Sequence, residues 1–277
     1  MADDNSEVSE FYEGTDRFRL AGKLNDLWGE NLHYGYWESA ADDSPIQAAT
    51  DRLTDLLISG LGAKPGDRVL DIGCGNGNPA LRLVRARDVD VVGITISETQ
   101  VAQARKRAAE AGLGDRARFQ YADAMSMPFP EASFDAAWAI ESMLHMPDRG
   151  HVLAETARVL RPGGRLAIAD VMERGPVTPE GRAVLDHIRT TYKIKSLSTV
   201  AEYREHLARH GFADVEIHDI TDNVARTGMI LADAVETIRD QLVPGLSPQE
   251  VDSVIAFMRK AATTRENGYL FLTATRL

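Results

Sequence analysis

The stretch Val69-Leu70-Asp71-Ile72-Gly73-Cys74-Gly75-Asn76-Gly77 constrains this chain more than any other. A short apolar run stops at glycines on alternate positions, and Asn78-Pro79 then opens an Ala/Leu/Val-rich pattern with helical spacing. The order is strand, tight turn, helix. Glycine is required where the backbone takes positive φ or where a ligand comes closer than a β-carbon permits. A helix N-terminus beyond such a turn favours a polar or anionic group. A dinucleotide fingerprint needs G-x-G-x-x-G with an acidic residue about 20 positions on. Here position 78 is asparagine and the next strand ends in Thr95, so that reading fits poorly. A tight turn that binds nothing is the bland alternative.

A chain of 277 residues has room for one large domain with an appended lobe. Its 42 acidic and 31 basic residues give a net charge of −11. That argues against nucleic acid as a partner, because such affinity rests on neutralising phosphates. The single cysteine, Cys74, allows no internal disulfide and suits a reducing compartment. Its place inside the glycine turn reads as a demand for a small side chain rather than a catalytic thiol. The start, Met1-Ala2-Asp3-Asp4, is acidic, and no run approaches the roughly 18 apolar residues a membrane span needs. The expectation is a soluble cytoplasmic protein with no membrane partner.

Along the chain, Val8 to Leu27 carries apolar residues at roughly helical spacing, interrupted by Gly14 and Gly22. Residues 28–37, Trp28 to Trp37, are different in kind. Aromatics and glycines crowd together there with neither period, as in a ligand pocket lining, and Tyr34 and Trp37 are its candidates. Ser44-Pro45 starts an amphipathic helix to Leu57, with Ser44 as N-cap. Strands are expected at 69–72, 89–96, 117–121, 134–140, 165–171, 215–220 and 269–275. Ser97-Glu98-Thr99-Gln100 reads as a capping box for the helix to Ala111, a sufficient structural reason for Ser97 and Gln100. The Arg161-Pro162-Gly163-Gly164 turn breaks the pattern before the fifth strand. Helices are expected over 176–194 and 200–210.

Strands alternating with helices at this spacing imply βαβ units and a mostly parallel sheet. Ligands of such sheets bind outside the carboxyl ends of the strands. Gly73, Thr95, Asp123, Glu141 and Asp170 all fall there. Residues 225–262 are helical in period where a tight connection would have sufficed, and insertions above a ligand-bearing edge are often lids.

Five ordered motifs carry a resemblance: the segment 29–37, the stretch 69–77, Ala122-Asp123-Ala124, Glu141-Ser142 with His145-Met146-Pro147-Asp148-Arg149, and Arg158 to Gly164. Together they resemble the class I S-adenosylmethionine (SAM) dependent methyltransferases. Within them they resemble the natural-product branch with sugar O-methyltransferases of the rebeccamycin type and cycloaddition enzymes of the spinosyn type. Tocopherol-type methyltransferases are more distant.

The resemblance implies an α/β fold: a Rossmann-like seven-stranded mostly parallel sheet with helices on both faces, an N-terminal helical segment and an inserted helical lid. Its divisions would be residues 1–43 over the active site, a SAM-binding core at 44–222, a lid at 223–265 and the last core strand at 266–277. It implies SAM as cofactor, S-adenosyl-L-homocysteine (SAH) as product and no metal. The acceptor would be a polycyclic, macrolide or glycosylated small molecule, and self-association is left open.

Carried over residue by residue, Gly73, Gly75 and Gly77 form the turn that approaches the methionine part of SAM. Asp71 orients that turn or an ammonium-bound water, and Thr95 and Ile96, with Gln100, border the ribose. Asp123, between Ala122 and Ala124, accepts from the adenine amino group, as an acceptor-only carboxylate suits. Ile140 offers its carbonyl to the ammonium, and Tyr34 and Trp37 close the site. His145 is the expected general base for a hydroxyl, with Asp170 to orient it. The sugar O-methyltransferase pattern has two adjacent histidines, and here the pair is Leu144-His145. C-methylation or cyclisation is the alternative.

Overall fold

The computed structural model describes residues 31–239 and 247–277. The helical reading of Val8 to Leu27, and Trp28, Gly29 and Glu30 of the aromatic stretch, lie outside the described residues. A seven-stranded sheet runs in the order β3-β2-β1-β4-β5-β7-β6. Its strands are β1 (Arg68–Ile72), β2 (Asp90–Thr95), β3 (Ala117–Tyr121), β4 (Phe134–Ile140), β5 (Leu160–Glu173), β6 (Phe212–Asp219) and β7 (Asn267–Arg276). The first five are parallel to one another, and β7 runs antiparallel between β5 and β6.

Side chains alternate across a strand, and here both faces are apolar, as a sheet covered on both sides requires. Val69 of β1 and Ala167, Ala169 and Val171 of β5 face one core cluster. It is filled from helices α1 (Ile46–Leu61), α2 (Asn78–Arg87), α3 (Glu98–Glu110) and α5 (Pro179–Thr191). Leu70, Ile72, Leu166 and Ile168 face the other, filled from α4 (Arg149–Val159) and α6 (Val200–Arg209). Each fully buried leucine here contributes roughly 1.5–3 kcal/mol.

Beyond β6 come a short helix α7 (Thr221–Val224), then α8 (Arg226–Thr237) and α9 (Pro248–Thr263). These last two form a hairpin with a core of its own, built on Ala232, Val235, Ile238, Val251 and Ile255. Ser247 and Glu250 form a reciprocal capping box at the start of α9. Among the described residues no helix is long and apolar enough to cross a membrane.

Several local expectations need correction. The N-cap of α1 is Pro45, not Ser44, whose hydroxyl donates to Asp42 at 2.6 Å instead. The helix itself runs on to Leu61. The fifth strand is not cut by its Pro-Gly-Gly stretch. It extends from Leu160, and the register against β4 slips between Phe134 and Ala136 to absorb the extra residues. Helix α5 begins at Pro179 rather than Pro176, because the Thr178 hydroxyl caps it by accepting from Gly181 N–H.

Candidate active site

Asp71, Gly73, Gly75, Thr95, Ile96, Gln100, Ala122, Asp123, Ala124, Ile140 and His145 line one cavity outside the carboxyl ends of β1, β2 and β4. Its walls also include Leu32, His33, Glu141 and Ser142. The glycine turn is tied to the neighbouring strand, since the N–H groups of Gly73 and Cys74 both donate to the Ile94 carbonyl at 2.9 Å. The Cys74 thiol is pushed up by burial, which leaves it inert.

Gly77 belongs to the turn but not to the cavity. It caps α2 with φ 81°, and a β-carbon there would stand 2.8 Å from Ala104 and from Phe119. Its task is close packing of α2 against α3 and β3.

Asp71 is buried, and burial pushes its carboxyl up to about 7. The Trp138 indole N–H approaches it and opposes the shift, yet does not reach hydrogen-bond geometry with any acceptor. The Trp138 indole N–H is thus left without an acceptor among the described residues, beside a carboxyl that burial pushes up. Asp71 itself lines the cavity, where its carboxyl can accept from an ammonium group.

Ser97 does cap α3, accepting from Gln100 N–H, but Gln100 does not complete the box. Its Oε1 accepts the Thr95 hydroxyl at 2.8 Å, while Ser97 N–H donates to Thr95 Oγ1 at 3.3 Å. With Oε1 occupied, the Gln100 amide NH₂ is the end left to donate to a ligand in the cavity. Asp123 accepts from Met125 N–H at 2.8 Å, which fixes the turn after β3 and the direction of its carboxylate.

His145 closes a single 3₁₀ turn, Met143–His145, after β4. Its Nδ1 lies 3.3 Å from the Lys193 carbonyl. A carbonyl only accepts, so Nδ1 carries the proton and Nε2 carries the lone pair. Burial is the main cause that lowers the imidazole to about 4, and Arg149 and Lys195 add to it. The side chain of Leu144 turns the other way and packs into the core.

Asp170 does not orient His145. It is fully buried, with Oδ2 accepting from Tyr203 O–H at 2.9 Å and Oδ1 from Val171 N–H at 3.0 Å. It also takes a hydrogen bond from the backbone of Leu144 and sits in the field of Arg149. Arg149 in turn donates to the hydroxyls of Ser196 and Ser198 at 2.9 and 2.5 Å. The carboxylate thus holds the turn that presents His145, not the ring.

Trp37 and Tyr34 are not in the cavity wall either. Trp37 is 1% exposed, donates from Nε1 to the Ser44 carbonyl at 3.0 Å and lies beneath the Arg226 guanidinium. Tyr34 stacks on Tyr269 with ring centroids 5.4 Å apart. The irregular segment they belong to is strapped down at Tyr36 N–H to Ala49 O, Trp37 N–H to Asn223 O and Gly35 N–H to Thr227 Oγ1. Its neighbours Leu32 and His33 reach the cavity instead.

Sequence reasoning noted Glu141 at a strand end but gave it no role. Its φ of 47° lies in the region that favours glycine, which marks a constrained position at the cavity wall.

A family model described as a methyltransferase domain matches residues 69–164. The 27-O-demethylrifamycin SV methyltransferase of Amycolatopsis mediterranei (strain S699) is 41% identical over 270 residues, covering 97% of both chains. Among solved structures, the [4+2]-cyclase SpnF superposes with a TM-score of 0.79 at 31% identity, over 98% of this chain and 96% of its own. The cyclopropane synthase MmaA2 of Mycobacterium tuberculosis shares the fold, with a TM-score of 0.83 at 22% identity over 99% and 98% of the two chains.

Proposed function

Because the chain belongs to the SAM-dependent methyltransferases, we propose that it methylates a hydroxyl of a polycyclic, macrolide or glycosylated small molecule of secondary metabolism, with His145 as general base. When bound, SAM supplies an electrophilic methyl group whose departing bond electrons stay on sulfur. The glycine turn, Asp71, Thr95, Gln100, Asp123 and Ile140 would hold it. Positioning then contributes most of the acceleration, and the protein's remaining task is to take the hydroxyl proton.

The observation that carries this reading is His145 on the wall of the same cavity as the glycine turn, with its Nδ1 proton committed to the Lys193 carbonyl. Its lowered pKa keeps the ring neutral, and so able to accept, throughout the physiological range. Asp170 acts one step back, through the backbone of Leu144. The helical hairpin, residues 223–265 in the division above, would be a lid over the acceptor. Its own small core supports movement as a unit.

A second reading is favoured by two observations. A cyclase that is 31% identical spans nearly the whole chain, and the first of two adjacent histidines is replaced by the core residue Leu144. Incubation with methyl-labelled SAM and a panel of acceptors separates the two. Oxygen-linked label is expected, whereas carbon-linked label, or an isomerised acceptor without label, would overturn hydroxyl methylation.

A further inference from the structure

The arrangement above leaves Glu141 without a task, although its backbone is held at φ 47° on the cavity wall. Its Oε1 accepts two hydrogen bonds, from Tyr34 N–H and from Tyr269 O–H, each at 2.7 Å. Two donors use both lone pairs of a carboxyl oxygen. Among the described residues none donates to Oε2, and Oε2 is not sealed in the interior, because Glu141 lines the cavity. A proton on this carboxyl therefore resides on Oε2 and points into the cavity.

We propose that Glu141 is a neutral acid that donates a hydrogen bond from Oε2 to a carbonyl oxygen of the acceptor, beside the hydroxyl that is methylated. The acceptor class is then a hydroxy ketone or hydroxyquinone, with the hydroxyl directed to His145 and the neighbouring carbonyl to Glu141. A carbonyl is chosen because it only accepts, which matches the one hydrogen that Oε2 has to give while Oε1 is held by the two tyrosines. The inference rests on the reading of the cavity as a hydroxyl-methylation site.

The surroundings agree. Burial is the largest influence on Glu141 and pushes it up to about 8, while the two hydrogen bonds oppose that and Asp170 of β5 adds to it. Tyr269 of β7 and Tyr34 are themselves raised by burial and by the nearness of Glu141, and Tyr192 raises Tyr34 further, so both phenols stay protonated. Asp71 and His145 line the same cavity. An acid and a base with pKa values pushed apart in one site is the usual mark of a division of roles.

Infrared difference spectra of the SAH-bound protein provide the first test. Between about pH 6 and 10 they should contain a protonated-carboxyl band that disappears with a midpoint of about 8 and is missing in Glu141→Gln. Tyr269→Phe, which removes a donor that favours the charged form, should move the midpoint upward. The binding probes are 1-hydroxyanthraquinone, with a carbonyl beside its hydroxyl, and 1-hydroxyanthracene, without one, each titrated into SAH-bound protein.

Near neutral pH the wild type should prefer the ketone by about tenfold, the value of one hydrogen bond, and should lose that preference well above the midpoint. Glu141→Gln, whose amide donates at every pH, should keep the preference throughout, and Glu141→Leu should have none. Equal affinity of the wild type for the two probes, including no measurable binding of either, overturns the proposal, and so does a missing band. Weakened SAM binding by Glu141→Gln also overturns it, by giving the carboxylate to the cofactor ammonium. None of these readouts needs turnover, so carbon-linked label would remove the hydroxyl-methylation reading separately.

Discussion

Ser142 occupies the space that a β-carbon on Gly73 would need. An ideal Cβ on Gly73 would lie 2.3 Å from Ser142 Cβ, and the Ser142 hydroxyl is itself tied to the Ile72 carbonyl at 2.5 Å. The end of β4 is thereby locked against the end of β1, and the lock works only if position 73 has no side chain.

Gly73→Ala should therefore lose both stability and cofactor. The φ of 75° alone costs an alanine roughly 1–3 kcal/mol, and Ser142 has to move as well. Thermal melting with calorimetric titration of SAM checks this. A variant that melts as the wild type does and binds SAM equally would show that the turn tolerates the shift.

Asp123→Ala should weaken SAM by roughly 1.5–3 kcal/mol, the range for a hydrogen bond to a charged group. Part of that loss comes through the turn that Asp123 holds by accepting from Met125 N–H. Unchanged affinity by calorimetry would remove Asp123 from the adenine site.

His145→Gln should reduce single-turnover rate by about 10²–10⁴ while SAM affinity stays nearly intact. The imidazole is lowered to about 4, so it is neutral above that value and protonated below it. The rate limb it governs therefore rises through about pH 4, not through the ordinary histidine value near 6.5. Absence of an acid limb in the wild type, with less than about tenfold loss in the variant, would discard the base assignment.

His33 makes a stability prediction. It is buried, with Nδ1 2.9 Å from the Tyr34 carbonyl and Nε2 3.1 Å from the Thr54 hydroxyl, and burial lowers it from 6.5 to about 4. Its folded pKa lies below the unfolded one, so the unfolded chain takes up the proton first. The stability it contributes is complete above pH 6.5 and is lost as pH falls towards 4. His33→Gln should flatten the fall in denaturant midpoint across that window. An equally steep fall in the variant would assign the acid sensitivity to other groups.

Hydrogen exchange in α8 and α9 should slow when SAH and acceptor are both bound, if the hairpin closes over the site. Equal protection with and without ligands would make it ordinary core.

Much of this architecture was legible in the sequence, for physical reasons that also explain the failures. Strands buried on both faces are continuous apolar runs, and β4 falls at Phe134–Ile140 as its pattern indicates. Backbone turns forced by glycine are equally local. What a side chain does at the end of a strand is not local. Gln100 turned from its own N-cap to the Thr95 hydroxyl, and Asp170 turned to Tyr203, a residue on a helix 33 positions away. Ser44 lost its capping role to a nearer competitor, Asp42. Trp37 and Tyr34 carry the composition of a pocket lining, yet their rings serve as packing while the flanking residues reach the cavity. Glu141 had only its strand-end position to recommend it, because the tyrosine that holds it, Tyr269, is 128 positions distant.

The antiparallel strand β7 lies inside the sheet, between β5 and β6, rather than at its rim. Nothing translated before residue 267 can therefore complete the sheet. Until that point β5 has an open edge, β6 has no ladder to join, and the hydroxyl that grips Glu141 does not yet exist. An exposed edge is a template for pairing with other chains, and contacts that span long stretches of chain form slowly. One strand thus closes the ladder to β6 and supplies the Tyr269 hydroxyl that sets the Glu141 carboxyl, so completion of the sheet and the setting of that cavity wall are coupled.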